Sequence, residues 1–168
     1  MPDLLVIAGA PGSGKTTVSR LLRDKLNSPY IDYGYIREFH LDNEWKNQSA
    51  EEEQMSFENL IFIVKNYFRY GWKNVIVTDL RDFRVEQIPK IFDGFSYAIF
   101  TLFIKNDEEL ADRIITRNEG FMNVEAALEW NRRVRRRNLL ANEYRIDNTH
   151  RQPEKTTLEI LELLDANI

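Results

Sequence analysis

Apolar residues along this chain fall into short unbroken runs, and amphipathic stretches separate those runs. Leu4-Leu5-Val6-Ile7-Ala8 is the first, with no polar position left to face water. A run of this kind reads as a strand buried on both faces, as strands of a parallel sheet are. Four further strands are predicted at Tyr30–Asp32, Asn74–Asp79, Tyr97–Ile104 and Tyr144–Asp147. Between the first two, Val18, Leu21, Leu22, Lys25 and Leu26 recur at a period of about 3.6 residues, which predicts an amphipathic helix from Thr16 to Leu26. Ser49-Ala50-Glu51-Glu52 is a capping box. It opens a helix that carries Met55, Leu60, Ile63, Val64 and Tyr67 and stops at Gly71, with Phe57, Phe62 and Phe68 read as core positions. Asn106 with Glu109 starts another helix, running through Arg117 and ended by Gly120. Pro153 suits the first turn of a last helix, with Leu158, Leu161 and Leu164 on its inner face. Strands alternating with helices predict an α/β fold with a parallel sheet between helical layers.

The turn between the first strand and the first helix carries the most chemistry. Residues 9–16 read GAPGSGKT, so Gly9, Gly14, Lys15 and Thr16 occupy the fixed positions of a phosphate-binding loop. Gly9, Gly12 and Gly14 allow backbone conformations closed to residues with a Cβ, so successive N–H groups can converge on one anion. The helix N-terminus adds its unpaired N–H groups and positive dipole end at the same point. Pro11 stiffens the loop where no ladder hydrogen bond is needed. Gly9, Ala10, Pro11, Gly12, Ser13, Gly14, Lys15, Thr16 and Thr17 are therefore the expected nucleotide-binding stretch. Lys15 would carry a full charge toward the β- and γ-phosphates, and the Thr16 hydroxyl would ligate Mg²⁺. Thr17 is read as helix surface or as a second hydroxyl on the phosphates.

Bulk properties narrow the class. At 168 residues and 43% hydrophobic, the chain is expected to be a single domain, 1–168. It has no apolar run long enough to span a membrane. Met1-Pro2-Asp3 leads straight into the first strand, so no signal peptide and a cytoplasmic location are expected. Without cysteine there is no disulfide framework and no thiolate ligand or nucleophile. A net charge of −4 argues against nucleic-acid coating by the whole surface. Asp79 closes an apolar strand and is expected at the Mg²⁺ or its waters. The alternative reading for it is a helix or turn cap. No dedicated protein metal cage is visible, as suits Mg²⁺ arriving with its nucleotide.

A switch GTPase would carry N-K-x-D and D-x-x-G motifs, and neither occurs. An oligomeric AAA-type motor would need a larger module with a helical lid domain, for which this chain is short. From the loop onward, the whole length resembles the small phosphate-loop kinases, the group of adenylate, shikimate and gluconate kinases. Tyr30-Ile31-Asp32-Tyr33-Gly34-Tyr35-Ile36-Arg37 resembles the segment that binds the acceptor in that group. Asp79-Leu80-Arg81 resembles its acid-plus-arginine after the third strand. Arg113-Ile114-Ile115-Thr116-Arg117 resembles the R-L-x-x-R helix leading into the lid.

The resemblance implies a three-layer fold with a five-stranded parallel sheet in the order 2-3-1-4-5, an acceptor region near 33–73 and a lid near 118–134. It also implies ATP as donor, with Mg²⁺, and in-line transfer of the γ-phosphoryl group. The roles that follow are Lys15 and the lid arginines Arg132 and Arg133 in catalysis, Arg113 and Arg117 at the nucleotide, and Asp32, Arg37 and Arg81 at the acceptor. Asp32 would take the proton if the acceptor is an alcohol; Arg37 and Arg81 would matter more for a phosphate monoester. Thr16 and Asp79 would hold the metal.

Two stretches stay open between readings. Arg132, Arg133, Arg135, Arg136 and Arg137 put five arginines in six positions. They read as a solvated helix face, as lid arginines, or as a strip for a nucleic-acid backbone. Phe39 and Trp45 lie in a polar stretch and could stack on a flat acceptor, which favours a nucleoside or nucleotide. His40 and His150 are read as surface residues rather than catalysts. The principal expectation is a kinase for a small-molecule acceptor, monomeric or homodimeric. The alternatives are a polynucleotide or modified-base hydroxyl kinase, and an ATP-binding regulatory protein without an acceptor.

Overall fold

The computed structural model describes residues 1–117 and 120–166. Five strands form one sheet: β1 Leu4–Gly9, β2 Tyr30–Asp32, β3 Val75–Thr78, β4 Tyr97–Phe103 and β5 Glu143–Asp147. All the pairings are parallel and the order is β2-β3-β1-β4-β5, the expected one. Every residue of β1 is buried, because β1 sits at the centre with helices on both sides. The unbroken apolar run was thus a direct record of its place.

Alternate side chains of the sheet enter two cores. On one face, Leu5, Ile7, Ile76, Phe100 and Leu102 pack with Val18 and Leu22 of α1 (Lys15–Leu26). Ile160 and Leu164 of the last helix, Pro153–Asp165, complete that core. On the other face, Val6, Val77 and Ile99 pack with residues after β2 and β3. These belong to α2 (Tyr33–Glu38), α3 (Ala50–Arg69), α4 (Asp82–Val85) and α5 (Ile88–Ile91). A third cluster of Ile104, Leu110, Ile114 and Ala127 joins α6 (Asp107–Ile115) to α7 (Val124–Arg136) beyond the end of β4. The helix from Pro153 is α8. Each fully buried Leu or Ile contributes about 1.5–3 kcal/mol, so the strand bearing the phosphate loop is firmly anchored.

Several helix starts follow the sequence signals. The Ser49 side chain accepts the Glu52 N–H (3.0 Å), and the Asn106 side chain accepts those of Glu108 and Glu109. Pro153 occupies the first turn of α8. Three details differ from the expectation. Phe57, Leu60 and Val64 set the buried stripe of α3, so Met55 and Phe62, about 200° around the helix from Phe57 and Leu60, are exposed at 45% and 74%. For the same reason Leu158 is exposed while Ile160 and Leu164 are buried. Helix α6 ends at Ile115, two residues before Arg117. The expected lid, 118–134, begins at Asn118 and Glu119, which lie outside the described residues; its later part is the start and middle of α7. Among the described residues, no helix is long and apolar enough to cross a membrane.

Parallel register brings chemistry to one edge. Thr78 lies beside Ile7, and its hydroxyl donates to the Ile7 carbonyl at 3.0 Å. The next residue of that strand's exit, Asp79, therefore emerges next to the loop that leaves β1. Asp32 lies beside Thr78 on the other side.

Candidate active site

The loop after β1 can be glycine-rich only because its neighbours leave no room. A Cβ on Gly9 (φ 134°) would stand 2.3 Å from the Leu102 carbonyl oxygen, and one on Gly14 (φ 97°) 2.6 Å from the Asn148 amide nitrogen. Gly14 is the N-cap of α1 and supplies no side-chain cap, so the first N–H groups of that helix keep their donors for an anion. Asn148, just after β5, holds the loop from behind: its amide donates to the Ser13 carbonyl at 2.8 Å and its oxygen accepts from Thr156 at 2.5 Å. The buried Ser13 hydroxyl has no hydrogen-bond partner among the described residues. Ala10 is fully buried, and Pro11, Gly12, Thr16 and Thr17 line the open side.

Lys15 is 6% exposed and donates to the Ala10 carbonyl at 3.1 Å. Burial pulls its ammonium pKa down, against the opposing pull of Asp79 and Asp32. The cation is thus desolvated and held by one carbonyl, a state that an incoming phosphate would improve.

Asp32 caps α2, accepting the Gly34 N–H at 3.0 Å, while the Tyr30 hydroxyl donates to its other oxygen at 3.2 Å. Asp79 has a left-handed backbone (φ 66°), which aspartate tolerates better than most residues. Gly34 separates the two acids: the position of a Cβ there would lie 3.1 Å from an Asp79 oxygen and 3.2 Å from an Asp32 oxygen. Any larger residue at 34 would wedge into the gap between them. Burial, and then Asp79, push the Asp32 pKa up.

Among the described residues no group of three acids, histidines or cysteines could hold a metal by itself. Thr16 on the cleft side of α1 and Asp79 opposite it fit a hard cation that brings its other ligands as phosphate and water.

The loop, both acids and α2 open onto one cleft of about 900 Å³. Four arginines line it and differ in what they already hold. Arg113 donates to Glu109 (2.6 Å), to the Asn148 carbonyl (3.0 Å) and to the Gly12 carbonyl (3.5 Å), so it ties α6 to the loop. Arg117 is different. Its Nε and one Nη are buried without a hydrogen-bond partner among the described residues, and burial lowers its pKa despite Asp79. Arg81 is exposed and follows Leu80 directly after Asp79. Arg37 is 4% exposed and forms a two-point pair with Glu52 (Nε–Oε1 3.0 Å, Nη2–Oε2 2.5 Å), with Trp45 stacked 4.7 Å from its guanidinium carbon.

Arg132 and Arg133 do not reach this cleft. Asn131 and Val134 are the buried positions of α7, and the Asn131 side chain bridges the Ile104 N–H and carbonyl. That orientation sends Arg132 to Asp107 (2.5 Å) and Arg133 to Asp82 (3.3 Å). Arg137 binds Glu143 (2.7 Å) and Asp82 (3.3 Å), and Arg135 donates to the Lys105 carbonyl. The arginine run is thus largely occupied by carboxylates and a carbonyl. Phe39 is 85% exposed, whereas Trp45 lines the cleft with Arg37. His40 bonds Glu52 (3.0 Å) and Ser56 (3.1 Å); the exposed His150 pairs with Glu109 at 2.9 Å.

Sequence reasoning gave no site role to Phe121 and Trp130, read Glu52 only as part of a capping box, and placed Asn148 only in the stretch Ile146–Thr149 that resembles the kinases' last strand and adenine-side loop. Phe121 and Trp130 line the cleft on the side of α7, and the Trp130 ring N–H is buried without a partner among the described residues. Trp130 carried a signal as a large aromatic one turn ahead of the helix's buried Val134.

Residues 5–129 match the model of a protein family described as "AAA domain". Over 166 residues the chain is 27% identical to a Thermococcus gammatolerans protein named "Putative adenylate kinase", covering 98% of this chain and 87% of that one. Its fold is similar to that of a sugar kinase from Janibacter sp. (TM-score 0.72, 16% identity, 98% and 95% of the two chains). It is also similar to that of shikimate kinase from Bacteroides thetaiotaomicron (TM-score 0.66, 16% identity, 98% and 99%). The fold is that of the phosphate-loop kinases.

Proposed function

The chain belongs to the AAA-domain family, and on that premise we propose that it is an ATP- and Mg²⁺-dependent phosphotransferase acting on a small acceptor. The observation that carries this reading is the meeting of a buried Lys15, two facing carboxylates and an Arg117 whose Nε and Nη2 have no hydrogen-bond partner among the described residues, at one end of a cleft whose other end stays open. A protein that only bound nucleotide would not need the second compartment.

Phosphoryl transfer asks for alignment and for positive charge around the equatorial oxygens more than for covalent help. The loop N–H groups and the N-terminus of α1 cradle the β- and γ-phosphates of ATP, and Lys15 exchanges the Ala10 carbonyl for phosphate oxygen. Arg117 offers two nitrogens, Nε and Nη2, that have no partner among the described residues, a planar fork suited to the γ-phosphate. Arg113 keeps the loop and the Asn148 turn together on the nucleotide's other side. Thr16 and Asp79 would hold Mg²⁺, which when bound supplies charge neutralisation across the phosphates. Asp32, Arg81 and the Arg37–Trp45 wall face the acceptor. Phe121 and Trp130 border the cleft from the lid side and would help exclude the water that otherwise makes a kinase an ATPase.

The test is ADP release from Mg-ATP, measured with and without nucleosides, nucleotides, sugars and small alcohols, beside equilibrium binding of Mg-ATP. Acceptor-dependent turnover that Lys15→Ala abolishes is the expected result. Mg-ATP binding with no acceptor stimulation anywhere in the panel would turn the reading toward a nucleotide-gated binding protein.

A further inference from the structure

We propose that the oxygen phosphorylated in this cleft is the hydroxyl of an uncharged acceptor, with Asp32 receiving its proton, and not the oxygen of a phosphate monoester. The inference rests on the phosphotransferase reading and goes on to name the acceptor's class.

A phosphate monoester would bring close to two negative charges to the acceptor end at neutral pH, beside the charge of the nucleotide. Such a ligand needs guanidinium groups with free donors. Arg37 is where sequence places one, and its charge is already countered by Glu52. Glu52 takes two of its nitrogens at 3.0 and 2.5 Å, and both side chains are at least nine-tenths buried. The Trp45 ring lies against the guanidinium, 4.7 Å from its central carbon. The pair is neutral as a unit. Glu52 is fixed in turn by His40 and by Ser56, whose hydroxyl donates to it at 3.0 Å. Freeing Arg37 for a ligand would leave Glu52 buried without its cation, which is costly.

What remains at that end is Arg81 against Asp32, Glu38 and Glu44, all lining the cleft, with Glu44 held by Lys46. An anionic acceptor meets no net attraction in this company, whereas a polar uncharged one meets several hydrogen-bond acceptors. Asp32 is suited to the hydroxyl. Its two oxygens carry about four lone-pair directions, and Gly34 and Tyr30 use one on each. Gly34 leaves open the space in front of both acids.

The step balances simply. The acceptor oxygen forms a bond to the γ-phosphorus as the bond from that phosphorus to the bridging β,γ-oxygen breaks. The hydroxyl proton passes to the Asp32 carboxylate and then to solvent, and ADP leaves with the electron pair of the broken bond. The products are a phosphate monoester, ADP and one proton.

The experiment uses the full chain with Mg-ATP and matched acceptor pairs: nucleosides against their 5′-monophosphates, and sugars against the corresponding sugar phosphates. We expect the uncharged member to give at least a 10-fold higher kcat/KM, with a phosphate monoester as the product by phosphorus NMR. Asp32→Asn keeps an oxygen to cap α2, so it should fold; it should lower kcat at least 100-fold while leaving the Kd for Mg-ATP within threefold. A preference for the phosphorylated member, a diphosphate product, or an Asp32→Asn enzyme with unchanged kcat would each overturn this inference alone. Failure to bind Mg-ATP, or no turnover with any acceptor, would overturn the phosphotransferase reading and this inference with it.

Discussion

The two ends of the cleft hold their cations in opposite ways. At the phosphate-loop end, Lys15 is buried against the Ala10 carbonyl and Arg117 has donors with no partner among the described residues. At the other end, Arg37 is equally buried and yet paired, with its Nε and Nη2 on Glu52 and Trp45 over its guanidinium. Burial alone therefore does not mark a ligand site. A buried cation without a partner is a standing demand for an anion, while a buried cation with one is part of the wall. On the proposed reading, the first arrangement serves phosphate and the second shapes the compartment for the acceptor.

Breaking the acceptor wall should produce the largest effect. Glu52→Gln preserves shape but leaves Arg37 buried without its counter-charge, and removal of one partner from such a pair costs about 3–5 kcal/mol. Urea unfolding of the wild type and the variant would measure it. The same pair sets an acid limit. Hydrogen bonding from Arg37 holds the Glu52 carboxyl down to about 2, below its ordinary value of 4.5. A carboxyl whose folded pKa is depressed contributes its stability above the ordinary value and loses it as pH falls toward the folded one. Wild-type stability should thus decline between pH 4.5 and about 2, and Glu52→Gln should flatten that limb. An unfolding midpoint that drops as steeply in the variant would assign the acid limit to other groups.

At the opposite end the effect should appear in turnover rather than in folding. Lys15→Ala removes the charge aimed at the transferring phosphoryl group, and loss of one such donor lowers kcat on the order of 10²–10³-fold. Because it also removes a desolvated ammonium, the variant should unfold no earlier than the wild type. If Lys15→Ala lost stability while keeping turnover, the contrast between the two ends would fail.

This contrast was only half legible in the sequence. The phosphate loop and the five strands followed from local pattern, because a strand buried on both faces and a glycine with no room for a Cβ leave marks at the positions themselves; the strand order followed from the resemblance to the phosphate-loop kinases. Asp79 beside the loop followed from register, once β3 was placed next to β1. Arg37 was different: as a letter it carries no sign of its partner, and Glu52 lies across the loop that joins α2 to α3. What neutralises it is the geometry of the capped first turn of α3, where Glu52 and Glu53 both turn inward, Glu53 onto Arg84 at 2.5 Å. Met55 and Phe62 were misplaced for a related reason, since hydrophobicity gives a helix's period but several registers satisfy it. The facing of α7 turned on Asn131, a polar residue buried because its amide bridges the backbone of Ile104, and hydrophobic patterning passes over such a residue.

The smallest effect sharpens the same contrast on α7. Sequence made Arg132 a catalytic lid arginine, yet it pairs with Asp107 where both side chains are more than a third exposed, at 41% and 36%. An ion pair in that setting contributes about 0–1 kcal/mol, because solvent already screens each charge. Arg132→Ala should therefore leave kcat within about twofold and stability within that same range. Arg117→Ala should instead lower kcat on the order of 10²-fold, as the loss of a transition-state donor does. Running the two variants side by side removes one arginine each from the same lid region, so a general loosening of that region would lower both rates. Equal losses would return Arg132 to the reaction by way of a closed state in which it leaves Asp107. A loss confined to Arg117 would mean that an arginine's partners, more than its place in a motif, decide whether it acts on phosphate.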